Sequence, residues 1–599
     1  MQQTPNGHDA HAAHAAPVRN AQATDSTARA GAPAIRADEV FDAIVVGSGI
    51  SGGWAAKELT QKGLRTLVLE RGGPTVHGES YTTEHKAPWE LDFRGRGDRK
   101  TWARENAIQS QAGPFGEATA HWYINDRQNP YSQPSGKFLW IRGDHVGGRS
   151  ITWGRQSYRH SELDFTANAR EGVEVDWPIR YADIAPWYSH AERFAGISGE
   201  KLGLSYLPDG EFLPPMEQNV VEKHVRAGIE RNFPGRTMTI GRTAVLTQAH
   251  QGRAACHYCG PCDRGCSTGS YFSSVASTLP AAEATGRMTL RPNSVVHSLI
   301  YDETTDRVTG VRVIDRETKE PIEFRGKLVF LCASTLGTTQ ILLNTKTPRF
   351  PNGLANSSDT LGHYIMDHHF KVGAIADIEG FDDRYYSGNR PNGIYVPRFR
   401  NLDAATKMPD FLRGYGYQGG AWREGWGRGG GGAGFGADFK NDLRSPGAWK
   451  MFLNAFGEVL PQRSNYADLD PTLVDEWGIP ALRIHAALGP NEEAMRLDMA
   501  TAAVEMLEAV GGKNVSSFSD SYALGEGIHE MGTARMGRDP RTSVLNSFNQ
   551  AHDVPNLFIT DGSCMTSASC VNPSLTYMAL TARAVDHAVN AMKRGDLRV

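Results

Sequence analysis

Residues 42 to 73, DAIVVGSGISGGWAAKELTQKGLRTLVLERGG, constrain the fold of this chain more than any other stretch. An apolar run, Ala43 to Val46, predicts a buried strand that leads straight into Gly47-x-Gly49-x-x-Gly52. A helix-compatible segment follows, then a second apolar strand, Leu67 to Leu69, which ends on Glu70. Gly47 allows the tight turn, Gly49 lets a pyrophosphate approach the backbone, and Gly52 lets helix and strand pack closely. The helix N-terminus offers unpaired N–H groups and a positive dipole end to phosphates. Glu70 stands where a carboxylate accepts hydrogen bonds from a ribose hydroxyl pair and disfavours a 2′-phosphate. The expected ligand is therefore FAD or NAD rather than NADP.

At 599 residues the chain can hold several cores, about four domain-sized units by length alone. A charged content of 22% and a net charge of −4 give no reason to expect a polyanion, so no nucleic-acid partner is anticipated. No stretch approaches the roughly 18 uninterrupted apolar residues of a membrane helix, so no direct membrane span is expected. Residues 1–37, rich in Ala, His, Gln and Thr, read as a disordered tail without a secretory h-region or a twin-arginine signal.

Residues 74–140 are polar, Trp- and Arg-rich and poorly periodic, which predicts a long surface excursion. IRGDHVGGRSITWG (141–154) is a second glycine-rich loop, and a helical pattern begins at Tyr181. MTLRPNSVVHSLIYD and RVTGVRVID predict strands of a meander, KLVFLCAS a buried strand and TLGTTQILLNT a helix. Residues 346–520 read as a separate block of alternating strands. Within it, GYGYQGGAWREGWGRGGGGAGFG (414–436) looks too glycine-rich for a regular element and suits a lid or a flexible linker. NLFITDGS predicts a strand, and TYMALTARAVDHAVNAMKR a terminal helix.

Four of the seven cysteines crowd into Cys256-His-Tyr-Cys259-Gly-Pro-Cys262-Asp-Arg-Gly-Cys266, a C-x2-C-x2-C-x3-C spacing. Thiolates so spaced can converge on one iron–sulfur cluster of three or four irons, which ranks first. A structural zinc or a loop without metal are the other readings. Ser267 stands where a proline often follows the fourth cysteine. Cys332, Cys564 and Cys570 are expected to pack as small buried residues.

The fingerprint at 47–52, the loop at 143–154, GIHEMGTARMG (527–537), NLFITDGS (556–563) and NPSLTYMALTARA (572–584) together resemble the glucose–methanol–choline (GMC) oxidoreductase family. The likeness spans nearly the whole chain after residue 40. It implies an α/β protein with a Rossmann-like FAD-binding domain interleaved with an α+β substrate domain built on an antiparallel sheet. FAD-binding segments then fall at 38–190, 251–345 and 521–599, a substrate-domain or linker segment at 191–250, and the substrate domain at 346–520.

The resemblance also implies hydride transfer from an alcohol carbon to flavin N5. His529 matches the family's catalytic histidine, and an imidazole suits a base working near neutrality. Asn572 matches the second catalytic position. Asp561 and Gly562 match contacts to the ribityl and pyrophosphate region, and Gly147, Gly148 and Ser150 match the loop against the flavin. Val296 matches an adenine-side backbone contact. Pro573 to Thr576 match the start of a helix facing the flavin N1–O2 edge. Thr152 before Trp153, where some members carry a flavin-linked histidine, implies non-covalent FAD.

The cysteine loop extends the likeness to sugar and glycoside dehydrogenases of the family, such as glucoside 3-dehydrogenases, which pass electrons singly to an external acceptor. A sugar or glycoside substrate, a small subunit and a cytochrome c acceptor are implied. So is a periplasmic location if a signal-bearing partner exports the chain, and a cytoplasmic one otherwise. Glu458 and Gln462 are read as binding sugar hydroxyls and Trp422 and Trp426 as stacking on a pyranose face, with surface or core roles as alternatives.

Overall fold

The apolar run Val40–Val46 pairs in parallel with Thr66–Leu69 on one side and Pro321–Leu331 on the other. Ile44, Val45, Leu67, Val68, Val329 and Phe330 are sealed from solvent, as parallel strands covered on both faces require. This computed structural model describes residues 35, 39–384, 388–425, 428, 434–520 and 523–597. The tail read over residues 1–37, Ile35 aside, and Trp426 lie outside them.

The sheet has seven strands, in the order Met288–Arg291, Thr66–Leu69, Val40–Val46, Pro321–Leu331, Arg307–Asp315, Ser294–Asp302, with Leu557–Ile559 joining Pro321–Leu331 in parallel. Ser294–Asp302 and Arg307–Asp315 form the predicted antiparallel meander, which Pro321–Leu331 extends, whereas Met288–Arg291, read into the same meander, pairs in parallel with Thr66–Leu69. Gly47 sits at φ +97°, and a Cβ on Gly52 would lie 1.9 Å from the Gly47 carbonyl oxygen. Only glycines let the helix Ile50–Gln61 leave the strand this tightly. The terminal helix Ser574–Arg594 packs against that helix and against Tyr181–Ala195.

A second sheet of six strands is antiparallel throughout, ordered Lys513–Ser519, Val372–Ile378, Trp449–Gly457, Tyr415–Arg423, Ile394–Val396, Thr239–Ile240. The helix Pro490–Ala509 covers it with Met495, Met499, Ala502, Ala503 and Met506. Strand alternation alone did not reveal this helix, because its buried stripe is made of Met and Ala and gives low contrast.

Tyr415–Arg423 corrects the reading of 414–436 as a segment without regular structure. A Cβ on Gly419 would lie 2.1 Å from the Phe452 carbonyl oxygen of the neighbouring strand. Glycine here admits a close backbone rather than conferring freedom. The excursion over 74–140 holds short turns and the helix Arg99–Glu105, and leaves Trp89 and Phe93 exposed. It then returns at Gln111 to Pro114 and at Tyr123 and Ile124 to wall a large cavity. No helix among the described residues is long and apolar enough to cross a membrane.

Candidate active site

The cavity, of about 580 Å³, runs from the glycine turn after the first strand to the start of the terminal helix. That volume is typical of small-molecule and cofactor sites. Ser48, Gly49 and Glu70 line one end, with Val295 and Val296, and Arg149, Asp561, Gly562, His529, Asn572 and Pro573 line the other.

At the nucleotide end the Glu70 carboxylate is buried. It accepts from Ser48 N (3.0 Å), Ser48 Oγ (2.7 Å) and Gly72 N (2.9 Å). Burial pushes its pKa up, and those three bonds oppose the shift. Gly147 N donates to Ser48 Oγ (2.8 Å), and Ser150 Oγ ties back to the Gly147 carbonyl (2.6 Å), so the second loop is locked onto the first. Gly49 and Gly148 meet there, a Cβ on Gly148 falling 3.6 Å from the Gly49 Cα. Gly52 and Gly147 shape the turns without lining the cavity, whereas Gly47, Gly49, Gly148, Ser150 and Val296 line it.

Two helix N-termini open at the cavity without side-chain caps, at Gly49 and at Pro573. Uncapped N-termini leave backbone N–H groups for an anionic or electron-rich ligand. Tyr577 Oη and Trp140 Nε1, both in the wall, have no hydrogen-bond partner among the described residues. The cavity therefore fits a long phosphate-bearing cofactor such as FAD. Ser48, Gly49, Glu70 and Val296 would hold its nucleotide half, and Gly148, Thr152, Asp561, Gly562 and Pro573 its other half.

Asp561 accepts from Ser563 N (3.0 Å), Ser563 Oγ (2.5 Å) and Thr338 Oγ1 (2.5 Å), and burial raises its pKa against those bonds. Thr576 does not reach the cavity; its Oγ1 pairs with Tyr188 Oη at 2.8 Å.

At the chemical end, His529 Nε2 lies 3.2 Å from Asn572 Nδ2, and Asn572 Oδ1 accepts from Gln418 Nε2 (2.6 Å). His529 Nδ1 lies 3.0 Å from His368 Nδ1. The backbone turn that carries His529 is clamped by buried Asp367, which accepts from the N–H groups of Gly525 (2.7 Å), Gly527 (3.0 Å) and His529 (3.1 Å). Burial in the wall, with His368 and the Arg149 guanidinium nearby, holds the His529 pKa well below the usual imidazole range. Arg149 is forked onto Glu530 (2.8 and 3.1 Å). A neutral imidazole whose Nε2 lone pair exchanges its Asn572 partner for a bound hydroxyl can take that hydroxyl's proton, and the Asn572 amide can hold the oxygen.

Asp367, His368, Gln418 and the Arg149–Glu530 pair were not found from sequence. The one usable signal was Asp367-His368-His369, three titratable residues in an otherwise apolar run. Glu458 and Gln462 are not in the cavity wall. Glu458 is sealed beside Arg413 (3.5 Å), and Gln462 bonds Glu492 (3.4 Å). Trp422 is 38% exposed and packs edge-on against Phe452.

The loop of Cys256, Cys259, Cys262 and Cys266 abuts the cavity wall. Arg155 Nη2 donates to the Cys262 carbonyl (2.6 Å), and Arg155 and Asp263 both line the cavity. Cys259 is exposed and the other three half-buried. Tyr258 N donates to Cys256 Sγ (3.4 Å), and Cys266 Sγ contacts Thr268 and Ser270 hydroxyls at 3.3 Å. Among the described residues, however, no three Cys, His, Asp or Glu side chains are gathered to hold a metal. The convergence that the spacing predicts is thus not formed. Cys332, Cys564 and Cys570 are buried in packing roles.

Comparison with known proteins agrees with the fold. Residues 41–369 and 461–581 match the N- and C-terminal patterns of the GMC oxidoreductases. The chain is 29% identical to 2-methyl-1,2-propanediol dehydrogenase of Mycolicibacterium austroafricanum, over 91% of this chain and 94% of that protein. It is 25% identical to the fructose dehydrogenase large subunit of Gluconobacter japonicus, over 92% of this chain and 98% of that one. The crystal structure of pyridoxine 4-oxidase from Mesorbium loti superposes with a TM-score of 0.57 at 16% identity, covering 91% of this chain and 98% of that one. The chain belongs to the GMC oxidoreductase family, FAD enzymes that oxidise the CH–OH groups of alcohols and sugars.

Proposed function

We propose that this enzyme is a dehydrogenase for a sugar, glycoside or related polyol, with His529 as the base and Asn572 as the hydroxyl anchor. FAD, bound non-covalently, supplies the hydride acceptor. The observation that carries the reading is the pair His529 Nε2 and Asn572 Nδ2, 3.2 Å apart in the cavity wall. A carbinol oxygen set beside both, in place of their mutual bond, donates its proton to His529 Nε2 and accepts a hydrogen bond from Asn572 Nδ2. Gln418, Lys371 and Glu526 beside Phe370 and Phe456 give that end both polar partners and an apolar face, which suits a polyhydroxylated substrate.

Electrons leave, in this reading, singly through the cysteine side to an external acceptor. Cys256, Cys259, Cys262 and Cys266 would hold an iron–sulfur cluster, whose chemistry is one-electron transfer. The donor set suits it, although the sulfurs are not gathered. One relative is named as a large subunit. A small subunit and a cytochrome c acceptor for this chain, and a periplasmic site reached with such a partner, belong to the same proposal.

The ungathered sulfurs favour a second reading, a cluster-free enzyme for a simpler alcohol or diol, or one that uses oxygen directly. Anaerobic bleaching of the flavin against sugars, glycosides and diols tests the substrate. Iron analysis with low-temperature electron paramagnetic resonance tests the cluster. Peroxide formed in air without added acceptor would point to the oxidase.

A further inference from the structure

His529 alone does not determine which of its nitrogens is basic. A free histidine side chain favours its proton on Nε2, which here would point a donor at the cavity and leave the lone pair inside the wall. The neighbouring groups fix the opposite arrangement. His368 Nε2 faces two carbonyl oxygens, Ser569 O at 2.9 Å and Ala568 O at 3.3 Å. A carbonyl only accepts, so this nitrogen must carry hydrogen. The reverse would leave buried acceptors facing each other, costing about 1–3 kcal/mol. His368 is fully buried, and burial holds its pKa at about 4, against the pull of those carbonyls. It is therefore neutral near pH 7, and its Nδ1 is a bare acceptor aimed at His529 Nδ1, 3.0 Å away. At the far end of the row, Gln418 turns the Asn572 amide so that Nδ2 faces His529 Nε2. Every bond in the row then runs one way, from Gln418 through Asn572 Nδ2–H to His529 Nε2, and from His529 Nδ1–H through His368 to Ser569 O.

We propose that His368 is a positioning residue that keeps the proton of His529 on Nδ1, so that the Nε2 lone pair, which accepts from Asn572 Nδ2 within the wall, is there for the substrate hydroxyl that takes the place of that bond. The inference rests on His529 being the base. When Nε2 takes the hydroxyl proton, His529 becomes an imidazolium, and its Nδ1–H···Nδ1 bond to His368 strengthens, because a charged donor bonds more strongly than a neutral one. Burial, His368 as a charged ring and the Arg149 guanidinium all lower the pKa of His529; a neutral His368 does not repel, and its Nδ1 acceptor then works against burial and Arg149. Charged and titratable groups around this pair include Glu530, bound to Arg149, Asp367, bound to backbone N–H groups, and buried His369, whose pKa is lowered by burial, Arg496 and His368. On the far side of His368 lie His160 and Asp164, the latter bonded to Ser569 Oγ (2.9 Å).

The test compares His368→Leu, His368→Asn and His529→Ala in the flavin-loaded enzyme, by anaerobic flavin reduction with substrate. Leu fills the space without an acceptor, whereas Asn Oδ1 sits where Nδ1 was. His368→Leu is expected to lower the limiting rate about tenfold or more with KM little changed, and to move the acid limb of the pH profile to lower pH. His368→Asn should recover most of the rate and the original limb. Equal losses for Leu and Asn with an unmoved limb would overturn the inference, as would a Leu variant that works like the parent. His529→Ala separates the two claims: if that variant still reduces flavin, the base assignment fails whatever His368 does.

Discussion

The wall around His529 and the loop around Cys262 lie on the same cavity, yet they are built in opposite ways. Around His529, directional bonds from the chain itself hold the polar side chains. Asp367 takes three backbone N–H groups, and Gln418, Asn572, His529 and His368 form an ordered row. Such a site is complete before any ligand arrives. In the loop, the thiols have few partners and Cys259 faces solvent. Burial pushes the Cys262 thiol up to about 11, against the pull of Arg155 and helped by the charges of Cys256, Cys266 and Cys259. A thiol with so high a pKa is neutral near pH 7, and the chain by itself does not draw the four sulfurs together.

The sharpest way to break the contrast is at the base. His529→Ala should lower flavin reduction by substrate about a thousandfold while FAD stays bound, as single-turnover bleaching would read. Asp367→Ala should strip the acceptor from three backbone N–H groups, that of Gly525 buried, and lower the unfolding free energy by about 3 kcal/mol in urea titration. Cys262→Ser separates the two designs. If a cluster holds the loop, turnover with a protein acceptor should fall more than about tenfold and the unfolding midpoint should drop, with flavin bleaching by substrate nearly unchanged. If no metal is held there, the same substitution should change stability by less than about 0.5 kcal/mol.

The nucleotide half of the molecule was legible because backbone geometry writes itself into sequence. Gly47 and Gly52 have to be glycine where they stand, and the apolar strand before them has to be buried. His529 and Asn572 were legible through the motifs around them. The residues that orient them were not, because Asp367 and His368 lie about 160 positions upstream of His529 and meet it only through tertiary folding. Gln418 was hidden for another reason: its strand is so rich in glycine that it reads as loop. Glu458 and Gln462 misled because a polar side chain in a substrate domain looks alike whether it faces a cavity or an internal polar partner.

The buried histidines give a smaller effect, visible in acid. Burial lowers the pKa of His368 to about 4 and that of His145 to about 4, from an ordinary 6.5. Between those values the unfolded chain binds protons that the native state does not, so stability rises with pH. Their contribution is whole above about pH 6.5 and is lost as pH falls toward 4, by a few kcal/mol at most. Urea midpoints measured from pH 7 to pH 5 should fall accordingly, and a flat profile would contradict the buried, neutral assignment.

Glu458 works in the opposite sense and should give the smallest change. Its carboxyl is sealed beside the active-site wall, and burial pushes its pKa up to about 7 against the pull of Arg413. Between the ordinary carboxylate value of 4.5 and 7, the native state holds a proton that the unfolded chain has released, so this group lowers stability as pH rises. Glu458→Gln removes that titration and keeps the shape, while Arg413 retains Glu171 at 3.0 Å. The variant should therefore lie within about 1 kcal/mol of the parent near pH 5 and gain on it by pH 8. Its flavin reduction rate should stay within about twofold, because Glu458 is not in the cavity wall. A variant that instead loses stability as pH rises would mean that Glu458 is an ionised partner of Arg413.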